Sequence, residues 1–232
     1  MIARIGGPLS AYSWLAAIIF AALLCVLPAI DIWFSGLFFV SELGAWMPRS
    51  TLMRFARSGV PPLIIGTLIV VVLIWMVGFL RRHVVWGVTG RRTAYLVVSL
   101  AVGPGLVVES LLKTQYGRVR PKDTTIFGGE DVFTAALWPA DACERNCSFV
   151  SGHAAVAFWV TAFAFLLPNP YRLPFILGGL ALGVLMGLAR IVEGAHFLSD
   201  VVFAGLIVVG LNMWLARRVG LAGPGQDISH GS

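Results

Sequence analysis

The chain has 232 residues, of which 58% are hydrophobic and only 12% charged, and its mean hydropathy is +0.88. A soluble domain carries about 25% charged and about 45–50% apolar residues, so the composition excludes a soluble globular protein and points to one embedded in a membrane. The net charge of +6 does not indicate nucleic acid as a partner, because the basic residues are scattered between apolar spans and form no long tract; membrane topology accounts for them better.

From the N-terminus, Arg4 precedes a long apolar run ending in the sequence LPAIDIW, with no A-x-A-like cleavage site. The run is longer than a signal h-region and reads as a retained first span. Crossing the hydrocarbon takes about 20 apolar residues. Six segments qualify: 14–30, 62–80, 93–112, 152–167, 174–189 and 199–216. The alternation of a membrane barrel is absent, and helices satisfy their own backbone in lipid. The predicted fold is therefore all-α, a six-transmembrane-helix bundle. It forms a single domain over 1–232, with the chemistry-bearing motifs in 113–200 and a polar tail at 220–232. Residues 31–46, which mix aromatics with sparse polar groups, read either as a segment lying along the interface or as an extension of the first helix. Cys25 reads as a small core residue. Cys143 and Cys147 read as a short-range disulfide if their loop faces an oxidising compartment; a metal pair is the alternative, although no second Cys/His pair at zinc spacing accompanies them. In the fifth span, the glycines of GGLALGVLMG let neighbouring helices approach closely.

Basic residues orient the bundle. With a cytoplasmic N-terminus, Arg4, Arg81, Arg82, Arg91, Arg92, Arg172, Arg217 and Arg218 lie inside, and the first outer loop holds Arg49, Arg54 and Arg57. Lys113, Arg118, Arg120, Lys122, Arg145 and Arg190 then fall outside, against the positive-inside trend. They need another explanation. The expected orientation puts this face on the outer side of the membrane.

Three stretches meet on that face: KTQYGRVRP (113–121) leaves the third span, SFVSGH (148–153) enters the fourth, and ARIVEGAHFLSD (189–200) joins the fifth to the sixth. Phosphoryl transfer is the chemistry that suits them. Lys113, Arg120 and Arg190 can surround a tetrahedral anion, and arginine offers a planar donor fork for its oxygens. Ser151 and Gly152 precede a helix, whose free N–H groups attract anions. His196 and Asp200 are four apart and share a helix face if the sixth helix starts that early. Asp200 can then fix the imidazole tautomer while the other ring nitrogen attacks phosphorus. His153 can protonate the leaving oxygen. The cations supply the charge stabilisation, so no metal and no cofactor is expected.

Each piece alone has a plainer reading: a headgroup anchor for the cations, an ordinary capped helix start for Ser151-Gly152-His153, and a structural hydrogen bond for His196 and Asp200. Their order and common face outweigh those readings. Arg118 and Lys122 read as headgroup contacts or as solvated cations. Tyr116 reads as an interfacial aromatic, Glu109 as a structural partner of Lys113, and Glu193 as a solvated loop acid.

At these residues the chain resembles the type-2 phosphatidic acid phosphatase superfamily of membrane phosphatases, whose pattern is K-x6-RP, then PSGH, then SR-x5-H-x3-D. Here Lys113 is followed by six residues and Arg120-Pro121; the middle motif reads Val150-Ser151-Gly152-His153; the third runs Ala189-Arg190, five residues, His196, three residues, Asp200. Val150 stands in place of the usual proline and Ala189 in place of the usual serine. The resemblance covers about 93–216. It implies His196 as nucleophile, Asp200 as its orienter and His153 as acid, with Lys113, Arg120, Ser151, Gly152 and Arg190 as phosphate ligands. The segment 127–153 is similar to that of bacterial lipid A phosphatases in the superfamily, which implies a phosphorylated membrane lipid as substrate, reached sideways from the bilayer. Phosphatidylglycerol phosphate and undecaprenyl diphosphate fit the same argument. Alternatives are a lipid phosphotransferase and a non-catalytic protein that binds or transports an anionic lipid.

Overall fold

A computed structural model describes residues 8–48, 50–143 and 146–221; Arg4, Arg49, Arg145 and nearly all of the 220–232 tail lie outside the described residues. Helix α1 spans Pro8–Val26, and the chain then turns by 91° into α2, Ala29–Gly36. Pro28 stands at the turn. It has no N–H to continue the helical ladder, and its ring clashes with the preceding turn. The expected first span is therefore bent, and 31–46 does not extend it straight. A two-strand hairpin follows, β1 (Phe39–Val40) against β2 (Ala45–Trp46).

Ser50 caps α3 (Thr51–Ser58) by accepting from the Met53 N–H at 3.2 Å, and α4 (Val60–Leu80) continues it. Thr89 caps α5 (Gly90–Leu100), which widens into a π-type helix over Ala101–Leu112 around Pro104 and ends in the short α6, Lys113–Gln115. Helix α7 (Gly152–Trp159) tightens into a 3-10 turn over Val160–Leu166. Helices α8 (Asn169–Val192) and α9 (Leu198–Arg218) complete the bundle.

Four helical stretches are long and apolar enough to cross a bilayer: Thr51–Leu80, Gly90–Gln115, Asn169–Val192 and Leu198–Arg218; the bent α1–α2 pair makes a fifth if it is taken as one span. The expected fourth span, 152–167, is found as the apolar but shorter helix Gly152–Leu166. Ala154, Ala155, Ala157, Trp159, Ala162 and Ala164 along it are fully buried. Its neighbours, rather than lipid, surround it.

The glycines of α8 make that burial possible. A Cβ on Gly183 would lie 2.1 Å from the Phe158 ring of α7, and one on Gly187 would lie 2.2 Å from Val201 of α9. Polar groups add specific contacts inside the core: Trp159 Nε1 donates to Ser99 Oγ at 2.8 Å, and Asn212 Nδ2 donates to Thr161 Oγ1 at 3.0 Å. Such interhelical bonds matter where hydrocarbon offers no alternative partner.

The bundle has two distinct ends. At one, Arg172 is buried and donates to the Leu167 and Leu221 carbonyls, at 2.9 and 2.8 Å, tying the start of α8 to the residues after α9. At the other, α6 finishes, α7 begins, α8 finishes and α9 begins.

Candidate active site

Lys113 opens α6 and is 6% exposed; its Nζ lies 2.8 Å from Glu109 Oε1, one helical turn back. Gly152 opens α7 directly beneath this pair. A Cβ there would stand 1.9 Å from Glu109 Oε1 and 2.9 Å from Lys113 Nζ. A side chain at 152 would displace both, so glycine is what admits them to the backbone. Ser151 is fully buried and caps α7; its N–H donates to the Asp200 main-chain carbonyl at 3.2 Å, which joins the start of α7 to the first turn of α9.

Arg190, in the last turn of α8, is 5% exposed and ion-paired with Glu193. Glu193 is equally buried, which corrects the expectation of a solvated loop acid: a guanidinium three residues back draws it inward. His196 is 1% exposed. Its Nδ1 lies 2.8 Å from the Ser148 carbonyl oxygen, whereas Asp200 Oδ2 is 3.6 Å away. The second distance exceeds a hydrogen bond. A carbonyl only accepts, so Nδ1 carries the proton and Nε2 keeps its lone pair. Burial pushes the His196 imidazole below its ordinary value; Asp200 pulls the other way, and Arg190 and Lys113 add to the downward push.

His153 lies half-buried in the first turn of α7, within electrostatic range of Arg190, His196, Lys113 and Arg57. Arg57 comes from α3, which packs against α8. The sequence reading left it in the first outer loop without a role. Arg120 turns elsewhere: its Nη2 donates to the Asn146 carbonyl at 2.7 Å, and it lines a cavity of about 260 Å³ with Asp123, Asp131 and Cys143. The five residues Lys113, Gly152, His153, Arg190 and His196 thus gather, while Arg120 faces the loop. Cys143 and Cys147 are bridged. Among the described residues, no group of three or more His, Cys, Asp or Glu is placed to hold a metal ion.

Arg118 differs from both of its expected roles. It is 1% exposed, so neither a solvated nor a headgroup-facing placement fits it. Its Nη1 donates to Asp200 Oδ1 at 2.5 Å and to Ser199 Oγ at 2.8 Å; Nη2 donates to Asp31 Oδ2 at 2.8 Å; Nε donates to the Thr134 carbonyl at 2.9 Å. Burial opposes its charge, but Asp200 and Asp31 outweigh that and hold it above its ordinary value. Asp31, Ser148 and Ser199 are fully buried beside it, and sequence reasoning missed all three. A signal existed for Asp31, because a lone carboxylate in an apolar run must find a cation. Which cation it finds, 87 positions away, is a property of the fold.

A cluster of two buried cations, a helix start and two imidazoles is equipped for nucleophilic displacement at a phosphate. The PAP2 superfamily model matches residues 92–221. Among characterised proteins, the chain is 34% identical to a lipid A 4'-phosphatase of Rhizobium leguminosarum over 77% of its own length and 82% of that protein's. It is 32% identical to a lipid A 4'-phosphatase of Rhizobium etli over 77% and 75% of the two chains. It is 38% identical to a lipid A 4'-phosphatase of Francisella tularensis subsp. novicida, where the match spans 52% of this chain and only about half, 54%, of the relative. No solved structure gives a significant match.

Proposed function

The chain belongs to the PAP2 superfamily, and on that premise we propose that it is a membrane-embedded lipid phosphatase that removes a phosphate from a lipid A-like headgroup, favouring the 4' position. The observation that carries the reading is the His196 imidazole: buried, hydrogen-bonded through Nδ1 to the Ser148 carbonyl, and flanked by Lys113 and Arg190. That arrangement leaves Nε2 as the nucleophile. In the first step, Nε2 forms a bond to phosphorus as the bond to the lipid oxygen breaks, and His153 gives that oxygen a proton. In the second, water attacks the phosphohistidine, His153 takes the water's proton, and phosphate leaves. Lys113, Arg190 and the α7 start at Ser151-Gly152 stabilise the charge that builds on the transferring group. Arg120, bonded here to the Asn146 carbonyl, would have to turn from the loop to reach the same phosphate. The six-segment bundle, with α1–α2 as one bent span and Gly152–Leu166 as an enclosed one, would present the site to the periplasm, where a lipid can enter from the outer leaflet.

The 4' preference is supported by the Rhizobium relatives, which align over most of both chains. The test is purified protein with lipid A carrying a labelled 4'-phosphate or a labelled 1-phosphate, alongside phosphatidylglycerol phosphate and undecaprenyl diphosphate. Free phosphate should come fastest from the 4' label, persist in EDTA, and fall by at least about 10³-fold in His196→Ala. Label appearing on a second lipid would make the protein a phosphotransferase; binding without release would remove the enzymatic reading altogether.

A further inference from the structure

We propose that Arg118 and Asp31 are positioning residues for the reaction, so that the bent helix α2 takes part in orienting the catalytic histidine. The proposal rests on His196 being the nucleophile.

The connection to His196 runs through Ser148, whose three polar groups are all engaged. Its carbonyl accepts from His196 Nδ1 at 2.8 Å, its hydroxyl donates to Asp200 Oδ2 at 2.5 Å, and its N–H donates to the Arg118 carbonyl at 2.8 Å. The acceptor that fixes the imidazole is therefore located by the Arg118 backbone on one side and by the Asp200 carboxylate on the other. Asp200 is itself located by Arg118, because Nη1 takes Oδ1, while Oδ2 receives Ser148 and the Phe197 N–H at 2.8 Å. One residue sets both supports of the histidine.

Arg118 is held in turn by Asp31. The carboxylate binds Nη2 through Oδ2 and accepts the Ser199 N–H at Oδ1 (2.9 Å) and the Ser199 hydroxyl at Oδ2 (2.5 Å). Ser199 lies in the first turn of α9, so Asp31 also places a negative charge at that helix's positive end. The guanidinium packs near Phe197 (4.4 Å to the ring centroid) and Phe133 (5.7 Å). Four protein acceptors occupy its donor fork. An arginine used this fully by its own chain is an internal support rather than a phosphate ligand, and lysine cannot reproduce its planar geometry. Removing Asp31's charge leaves the guanidinium with one carboxylate and loosens the support of Ser148 and Asp200 together.

The experiment pairs steady-state kinetics on a phosphorylated lipid in detergent with the ring-nitrogen NMR signals of ¹⁵N-histidine-labelled protein. In Asp31→Asn, kcat should fall about 10–100-fold with KM held within about threefold, and the His196 signal should move. Arg118→Lys should lose at least as much kcat. A folded Asp31→Asn protein with wild-type kcat and an unmoved His196 signal overturns the proposal, as does a raised KM with kcat retained. Should Asp31→Asn lack a melting transition, Ser199→Ala removes only the bridging hydroxyl. There a kcat loss of about three- to tenfold with a shifted signal supports the proposal, and no change in either overturns it. If wild-type protein releases no phosphate from any lipid, the phosphatase reading fails on its own, and movement of the His196 signal still decides whether Asp31 positions that ring.

Discussion

At the scale of single residues, the two buried cations of the site are each paired with a carboxylate of the same chain: Lys113 with Glu109 and Arg190 with Glu193. A phosphate must compete for them. The Glu109 side chain is 53% exposed and can swing away at small cost. With one partner this exposed, solvent screening keeps the pair to about 1 kcal/mol at most, so Glu109→Gln should lower KM for the lipid phosphate about two- to fivefold; an unchanged or raised KM would mean that Glu109 supports Lys113 rather than competing for it. The buried imidazole gives a second expectation. On the proposed mechanism His196 attacks only when neutral, and burial lowers its pKa below the ordinary 6.5. As pH falls through that lowered value the ring gains a proton and the lone pair is lost. The acid limb of kcat/KM should therefore have its midpoint below 6.5; a midpoint above it would contradict the buried, cation-flanked placement. Most of these residues were legible because phosphate chemistry demands cations, imidazoles and a glycine at a helix start, all of them marked by residue type. Arg118 was not legible. In KTQYGRVRP it looks like Arg120, and only burial separates the arginine that supports the site from the one at its rim.

At the scale of elements, α7 is the helix that the sequence describes least well. Its apolar run is shorter than a membrane crossing, and its residues fit because α8 and α9 offer glycine faces. The Phe158 ring lies between them: a Cβ at Gly183 would be 2.1 Å from it, and one at Gly205 would be 3.1 Å away on the α9 side. The ring has no direction in which to yield. Overpacking of this sort costs about 1–3 kcal/mol, and 1 kcal/mol shifts the melting temperature of a chain this size by about 2–4 °C. Gly183→Ala should thus melt several degrees lower and lose activity, because α7 carries Ser151, Gly152 and His153. Gly178→Ala is the control. That position is exposed, and a Cβ there meets nothing within 4 Å, so helix propensity alone should leave stability unchanged or raise it by up to about 1 kcal/mol. Equal losses at 178 and 183 would refute the packing argument. The glycine-rich patch itself was readable as a close-approach face. The 91° bend at Pro28 was not, since hydropathy is blind to helix direction and the run reads as apolar through the turn.

At the scale of the whole molecule, charge and burial together argue for the orientation. Counted on sequence alone, cations are spread over both ends of the bundle and the positive-inside trend is diluted. Burial sharpens it. Lys113, Arg118 and Arg190 at the site end are buried in ion pairs, which explain their positions without reference to topology; Arg54, Arg57 and Lys122 stay exposed at that end. At the opposite end Arg81, Arg82, Arg91, Arg217 and Arg218 are exposed and free to act as cytoplasmic anchors. The site end should accordingly face the periplasm. Two exposed tryptophans mark the two ends: Trp138, 71% exposed in the loop before α7, and Trp86, 84% exposed between α4 and α5. In a Cys25→Ala background, Trp138→Cys should react with a membrane-impermeant maleimide in intact spheroplasts, whereas Trp86→Cys should react only after lysis. The reverse pattern would place the phosphate site in the cytoplasm. It would also make the exposed arginine end the exception to the positive-inside trend, and the substrate would have to be drawn from the inner leaflet.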